Sequence, residues 1–366
     1  MNVDPATWPE TVAGWSRGKQ VAAGVALVST VLFLVFFGDV LVETLLMVPT
    51  VVDASAVGSA LRLAVPIAFA ALGGIFAEKS GVINIGLEGL LIVAAFTGVA
   101  TVSLLGEGST TSQWMVWTGF FAAIVASTLL SALFAVVCIR YEADQIIAGL
   151  AVWLVALGLA PFASQVVWGS VNSPSVPTLN NWTIPVLSDI PIVGGILFDA
   201  LPTVYMMLVA VPLCWHVLYR TNFGHWVRAS GENPKALDTA GVDVKRVRYA
   251  SVLLSGVFSG IGGAGLALGQ VGQFIGGGTT MVSGRGWIAI TAYLFGNYNP
   301  VGAFGASLLF AGLNALQIRL QQIQGYEVPD PVIGMIPYLT VVVVLALVGR
   351  TRIPEASGEH YESGEE

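Results

Sequence analysis

Residue types that carry chemistry are scarce in this sequence of 366 residues, and they do not assemble into a reaction centre. The three histidines, His216, His225 and His360, are scattered, and none falls mid-span beside a serine or carboxylate. Neither a metal site nor an intramembrane hydrolase is indicated. Cys138 and Cys214 fall near the ends of apolar runs without metal-ligand spacing and read as packing residues. Gly260, Gly262 and Gly265 spell G-x-G-x-x-G, but a dinucleotide site needs a preceding strand and a helix opening into water. Inside an apolar run, such glycines serve close helix packing instead. No G-x-x-x-x-G-K-[ST] occurs in the sequence, so no loop is present to cradle the phosphates of ATP. The expectation is a chain that is not itself an enzyme and holds no cofactor or metal.

What remains is a handful of polar groups set in apolar surroundings. Asn84 and Glu88 are four residues apart and would share one helix face. Glu88 opens an apolar run, where a charge is costly and faces a cavity or a partner. It either shapes the inner end of a pathway or sits at the membrane surface, capping or pairing with Lys79. Arg285, flanked by Gly284 and Gly286, either lines the pathway or anchors a broken helix at the outer interface. Asn84, Gln145, Gln273 and Asn314 offer neutral hydrogen-bonding groups. Such groups suit an uncharged polyhydroxyl or nucleobase-bearing solute.

The elements that must position these groups follow from composition. The chain is 55% hydrophobic and only 10% charged, against roughly 25% charged in soluble domains. Its mean hydropathy is +0.80. Apolar runs of about 18 residues or more recur and read as membrane-spanning helices. Barrel strands would alternate over about ten residues, which these runs do not. The expected fold is an all-α, polytopic transmembrane bundle of about ten elements, near 20–37, 58–77, 86–105, 114–138, 146–163, 201–219, 249–271, 284–297, 301–318 and 332–349. The eighth is short and broken by glycines, as a half-helix or re-entrant segment would be. Trp114, Trp168 and Tyr219 near run ends read as interfacial anchors.

Orientation follows the positive-inside rule. Arg220, Arg228, Lys235, Lys245, Arg246 and Arg248 make 220–248 the densest basic stretch, which places it in the cytoplasm. Arg17 and Lys19 place the N-terminus inside, and Arg350 and Arg352 the C-terminus. Ten crossings satisfy both. The stretch 164–200, which lacks Lys and Arg and carries the sequon Asn181-Trp182-Thr183, then falls outside. Three parts result: a cytoplasmic segment 1–19, a membrane domain 20–349, and a tail 350–366. The net charge is −7, and Glu355, Glu359, Glu362, Glu365 and Glu366 give the tail an acidic composition expected to stay disordered. The first run follows about nineteen residues with no cleavage site behind it and reads as a retained span.

The cytoplasmic linker is the most informative stretch. Asn233 is a favoured N-cap, Pro234 suits the first helical position, and Gly241 suits a left-handed stop. A two-turn helix at 234–240 is therefore bracketed at both ends. Ala236, Leu237 and Ala240 give it a small apolar stripe, and Asp243 can cap the helix that returns to the membrane. Such a knob is either a docking element or an ordinary solvated connector.

The stretch GENPKALDTAGVDVKRVR is similar to the coupling loop of ABC importer permeases. EKSGVINIGLEGLLIVAAF at 78–96 and the stretch at 283–321 resemble the nucleoside and simple-sugar permeases of the branched-chain-type importer class. The resemblance runs from about 58 to 349. It implies that Gly231, Glu232, Asn233, Pro234, Ala236, Ala240 and Gly241 form a loop docking on a separate ATPase subunit. It also implies a second permease subunit, either a related chain or a second copy of this one, and an extracellular substrate-binding protein, in the multi-pass cell membrane of a prokaryote, with no nucleic-acid partner. The competing class is an ion-coupled secondary transporter, which wants ionisable groups near mid-membrane. Arg62 and Glu88 lie near run ends instead.

Overall fold

The computed structural model describes residues 54–106, 112–185, 187–190, 194–322 and 352–361. The runs expected at 20–37 and 332–349, and the segment 1–19, lie outside the described residues.

Seven helices are long and apolar enough to cross a membrane among the described residues. They are α1 (Ala54–Lys79), α2 (Leu87–Leu105), α3 (Gln113–Ala135), α4 (Gln145–Trp168), α5 (Pro202–Arg220), α8 (Val244–Leu266) and α10 (Pro300–Gln322). Two short helices, α6 (Asn222–Glu232) and α7 (Pro234–Thr239), form the linker between α5 and α8, and α9 (Arg285–Phe295) precedes α10. One π turn each, Val136–Arg140 and Ala267–Val271, prolongs α3 and α8. Every apolar run that falls on described residues became a helix, within a few residues of the expected ends. The largest shifts are at the end of α4, which runs five residues past the expected 163, and at the start of α8, expected from 249. Helix α8 begins five residues earlier, because the Asp243 carboxylate accepts the Arg246 N–H at 3.0 Å and caps it there.

Lipid supplies no hydrophobic drive between helices, so small residues must bring backbones together. Helix α8 shows this most plainly. A Cβ on Gly260 would stand 2.7 Å from Ile124 Cα of α3, and one on Gly262 3.1 Å from Pro66 O of α1. The G-x-G-x-x-G of the sequence is a packing stripe. Phe258 of α8 fills the gap between these contacts by stacking on Phe69 and Phe76 of α1. Helices α1 and α8 are the buried centre. Helix α4 is mostly exposed, and Ile147, Leu154, Phe162 and Val166 present a surface suited to lipid.

The eighth element is where the bundle departs from plain spans. After Gly272 (φ +71°) the chain turns back into the protein as irregular backbone, 272–284, and only then forms α9. Eleven residues of helix reach about 17 Å, roughly half of a hydrocarbon core. Irregular backbone in a membrane must be satisfied by protein. The 169–180 loop does this: Ser173 N–H donates to Phe274 O at 2.9 Å, Phe274 N–H donates to Ser173 Oγ at 2.8 Å, and Val176 N–H donates to Gly272 O at 2.7 Å. This loop marks one end of the bundle. Helix α9 finishes at the other end, where Asn297 accepts the Arg352 N–H at 2.9 Å beside the linker. The segment 272–297 thus crosses the bundle as half loop and half helix.

The tail corrects an expectation. Residues 352–361 are not a free acidic segment but a strap laid across the linker. Ala356 N–H donates to Gly231 O (2.8 Å), Gly358 N–H to Gly81 O (2.9 Å), Arg248 Nη1 to Glu359 O (2.7 Å) and the Tyr361 hydroxyl to Asp238 (2.9 Å). The contacts use backbone, a buried alanine and a tyrosine. Counting glutamates missed them. A chain truncated after Pro354 loses all four bonds, each worth about 0.5–1.5 kcal/mol net. Amides of α7 are expected to exchange at least about tenfold faster in hydrogen-exchange measurements.

Candidate coupling and translocation site

The linker begins with a tight reversal. Thr221 caps α6 by accepting the Gly224 N–H at 3.2 Å. Helix α6 ends at Glu232, and α7 starts at once. The Asn233 side chain accepts the Ala236 N–H at 3.0 Å, Pro234 holds the first helical position, and Gly241 ends the element at φ +80°. Asp243 then caps α8. The local fold anticipated for 234–240 is present as Pro234–Thr239.

The apolar stripe divides. Leu237 is buried at 5% exposure and pins α7 to the bundle, whereas Ala236 and Ala240 are exposed beside Glu232 and Asn233. Gly231 does not face outward. A Cβ there would stand 2.4 Å from Lys79 O, and the preceding Ser230 hydroxyl donates to Ser80 O at 2.8 Å. Gly231 therefore locks the linker onto the 79–81 turn, and of the nominated loop residues Glu232, Asn233, Ala236, Ala240 and Gly241 are exposed.

That turn leads to the polar residues nominated for the pathway. Asn84 and Glu88 do not share a helix face, because α2 starts only at Leu87. Asn84 is buried in the turn, donating to Ser255 Oγ at 2.8 Å and accepting the Gly86 N–H at 3.1 Å. Gln145 accepts the Ile83 N–H at 2.7 Å. Glu88 neither sits at the surface nor pairs with Lys79. Its carboxylate accepts the Gly284 N–H at 2.8 Å and the Gly286 N–H at 2.6 Å, closing the N-terminus of α9. A carboxylate there meets both the unsatisfied donors and the positive end of the helix dipole. Arg285 turns back to donate to Met281 O (2.9 Å) and Val282 O (3.0 Å) across the break before α9. Asn314 is half-buried on α10, away from this cluster. Four of the nominated side chains, Asn84, Glu88, Gln145 and Arg285, thus hold backbone that a membrane leaves without water.

Sequence reasoning missed a second clamp. Glu78, buried at the end of α1, accepts the hydroxyls of Tyr293 and of Tyr298 (2.8 Å for the latter), and so holds the far end of α9. Burial and the adjacent Glu78 carboxyl push the Tyr298 phenol above its ordinary range. The only signal was Glu78 lying ten residues before Glu88. It missed, too, a cavity of about 540 Å³ at the loop end of the bundle, lined by Ser59, Arg62, Asn181, Gln270, Arg319 and Gln322 among others. Gln270 is fixed there by donating to Arg62 O at 2.7 Å. These residues lie near span ends, where interfacial anchoring is the default expectation.

The polytopic bundle thus combines a half-helix clamped by two carboxylates with a capped knob on a basic linker. The chain belongs to the permease-component family of the branched-chain amino acid transport system, whose model matches residues 56–348. It is 37% identical over 312 residues to the nucleoside ABC transporter permease protein NupC of Lactococcus lactis, covering 83% of this chain and 96% of that protein. It is 36% identical to the guanosine ABC transporter permease protein NupQ of Bacillus subtilis, covering 84% and 96%. It is 32% identical to the putative glucose ABC transporter permease protein TsgC13 of Haloferax volcanii, covering 80% and 91%.

Proposed function

We propose that this chain is the permease half of an ATP-driven importer for nucleosides or simple sugars, docking through α7 on a separate ATPase subunit. The observation that carries the reading is the exposed, pre-capped α7: Leu237 roots it while Ala236 and Ala240 face outward. A helix of six residues is too short to hold itself in water and takes its shape from caps and from what it packs against. Small exposed side chains on such a knob fit a groove on a partner. The relatives named for nucleosides, guanosine and glucose support the solute class, and so do the amides and hydroxyls of the 540 Å³ cavity. A second, related permease chain would complete the pathway, and an extracellular binding protein would deliver solute to the cavity end.

Single cysteines test the arrangement. Both native cysteines are buried, so background labelling is low. A cysteine at exposed Ser175 is expected to react with an impermeant thiol reagent from outside intact cells. One at Ala240 is expected to react only from inside, and to be protected when the ATPase subunit is co-expressed. Labelling of Ala240→Cys from outside, or no protection by the ATPase, contradicts the proposal.

A further inference from the structure

A cavity of about 400 Å³ opens at the linker end of the bundle, and three distant segments each bring a cation to it: Lys79 from the end of α1, Arg228 from α6 and Arg352 from the tail strap. Glu232 is the one carboxylate in its lining, so the formal balance is three minus one, or +2. None of the three cations forms an ion pair within 4 Å among the described residues, where the pairs are Lys245–Glu142 and Arg246–Asp243. Aromatic faces hold two of them instead. Arg228 lies 5.2 Å from the Tyr219 ring centre and Lys79 lies 5.7 Å from that of Tyr298. Tyr219 continues through Trp215 to Arg220, which lies 5.7 Å from the Trp215 ring.

Lys79 alone would be explained by the dipole at the end of α1. Arg228 and Arg352 come from other elements, and like charges gathered in one partly buried pocket repel unless an anion sits among them. Arg228 Nε donates to Gly224 O at 3.4 Å, and the terminal guanidinium N–H groups of Arg228 and the Lys79 ammonium, which lie over aromatic faces, stay directed to the pocket, the arrangement that recognises phosphate oxygens. Lys79 closes α1 and Tyr219 lies one residue from the end of α5, so the pocket sits where two spans emerge from the membrane. Its volume is that of a small-molecule site, about 300–1,000 Å³, rather than of a single ion.

We propose that this pocket binds a phosphate-bearing anion between Lys79, Arg228 and Arg352. The two sources of that chemistry are the headgroup of an anionic lipid and free phosphate.

The test uses the purified full-length chain with phosphatidylglycerol, phosphatidylcholine and inorganic phosphate as probes, and native mass spectrometry to count bound lipid. The wild type is expected to retain phosphatidylglycerol in preference to phosphatidylcholine. Each cation near an anionic headgroup contributes about fivefold in affinity, so Lys79→Gln and Arg228→Gln are each expected to weaken retention about fivefold, and the pair about 25-fold. Lys245→Gln removes the same charge outside the pocket and is expected to change retention by less than about twofold. Arg228→Lys keeps the charge and most of the binding, which separates charge loss from misfolding. Resistance of the bound lipid to millimolar phosphate identifies the headgroup as occupant. Displacement by phosphate, with phosphate itself bound by the wild type and not by Arg228→Gln, identifies the free anion. A wild type that binds neither probe selectively, or equal losses in Lys245→Gln and Arg228→Gln, overturns the proposal.

Discussion

Glu88→Ala is expected to destabilise the bundle by about 2–6 kcal/mol, the largest single-residue effect in the described chain. Two N–H groups, that of half-buried Gly284 and that of buried Gly286, lose their acceptor. Each unsatisfied buried donor costs about 1–3 kcal/mol, and no water reaches a membrane interior to replace the carboxylate. Glu88→Gln keeps one acceptor and turns an amide donor toward the other N–H, so an intermediate loss is expected. Gly286→Ala attacks the same contact from the other side. Its Cβ would stand 2.4 Å from Glu88 N and 2.5 Å from Glu88 Cα, which are backbone atoms that cannot move aside. Because both changes break one contact, combining them should cost less than the sum of the two. Unfolding in mixed detergent, followed by circular dichroism, measures the series. A Glu88→Ala chain as stable as the wild type to within about 0.5 kcal/mol would remove the clamp from this account.

Gly241→Val is expected to leave the bundle intact and weaken capture of the ATPase subunit about 5- to 30-fold. Nothing lies within 4 Å of a Cβ at this position, so the substitution meets no neighbour. The cost is in the backbone. Gly241 has φ +80°, and an L residue in that region costs about 1–2 kcal/mol, with a β-branched side chain at the upper end. A tenfold change in affinity corresponds to about 1.4 kcal/mol, which gives the expected range. Helix α7 has too few turns to resist, so the strain moves Ala236 and Ala240 rather than the spans. Gly241→Asn tolerates the left-handed region and should recover most of the capture. Asn233→Ala, which frees the Ala236 N–H, should cost about 1 kcal/mol on the same scale. Co-purification of the ATPase with each variant reads the result. Full capture by Gly241→Val would make α7 an ordinary connector.

The sequence made some parts of this molecule plain and hid others, for identifiable reasons. Spans were legible because hydropathy is additive along a helix. The caps of α7 and α8 were legible because Asn233, Pro234, Gly241 and Asp243 act on residues within four positions of themselves. The polar residues in and beside the spans were seen, but their partners were not. Glu88 meets Gly284 and Gly286 across nearly 200 positions, and no local pattern announces that the irregular backbone of 272–284 must be satisfied from α2. A short eighth run broken by glycines did signal a half-helix, and its ends needed carboxylates. That reasoning would have pointed to Glu78 and Glu88 together. The tail failed for the opposite reason. Composition averaged its glutamates and passed over Ala356, Gly358 and Tyr361, which make its contacts. Gly231 carried a resemblance to a docking motif and a packing role at once, and only its distance to Lys79 O separates them.

Solute uptake into proteoliposomes, with and without the partner ATPase, bears most directly on the central claim. The chain is reconstituted with its related permease chain and the ATPase, and radiolabelled guanosine or glucose is offered with the cognate binding protein. Uptake is expected only when ATP and the ATPase subunit are both present, and is expected to persist when ionophores collapse proton and sodium gradients. Uptake by the permease chains alone, driven by an imposed ion gradient and abolished by ionophores, would contradict the account and make this chain a secondary transporter.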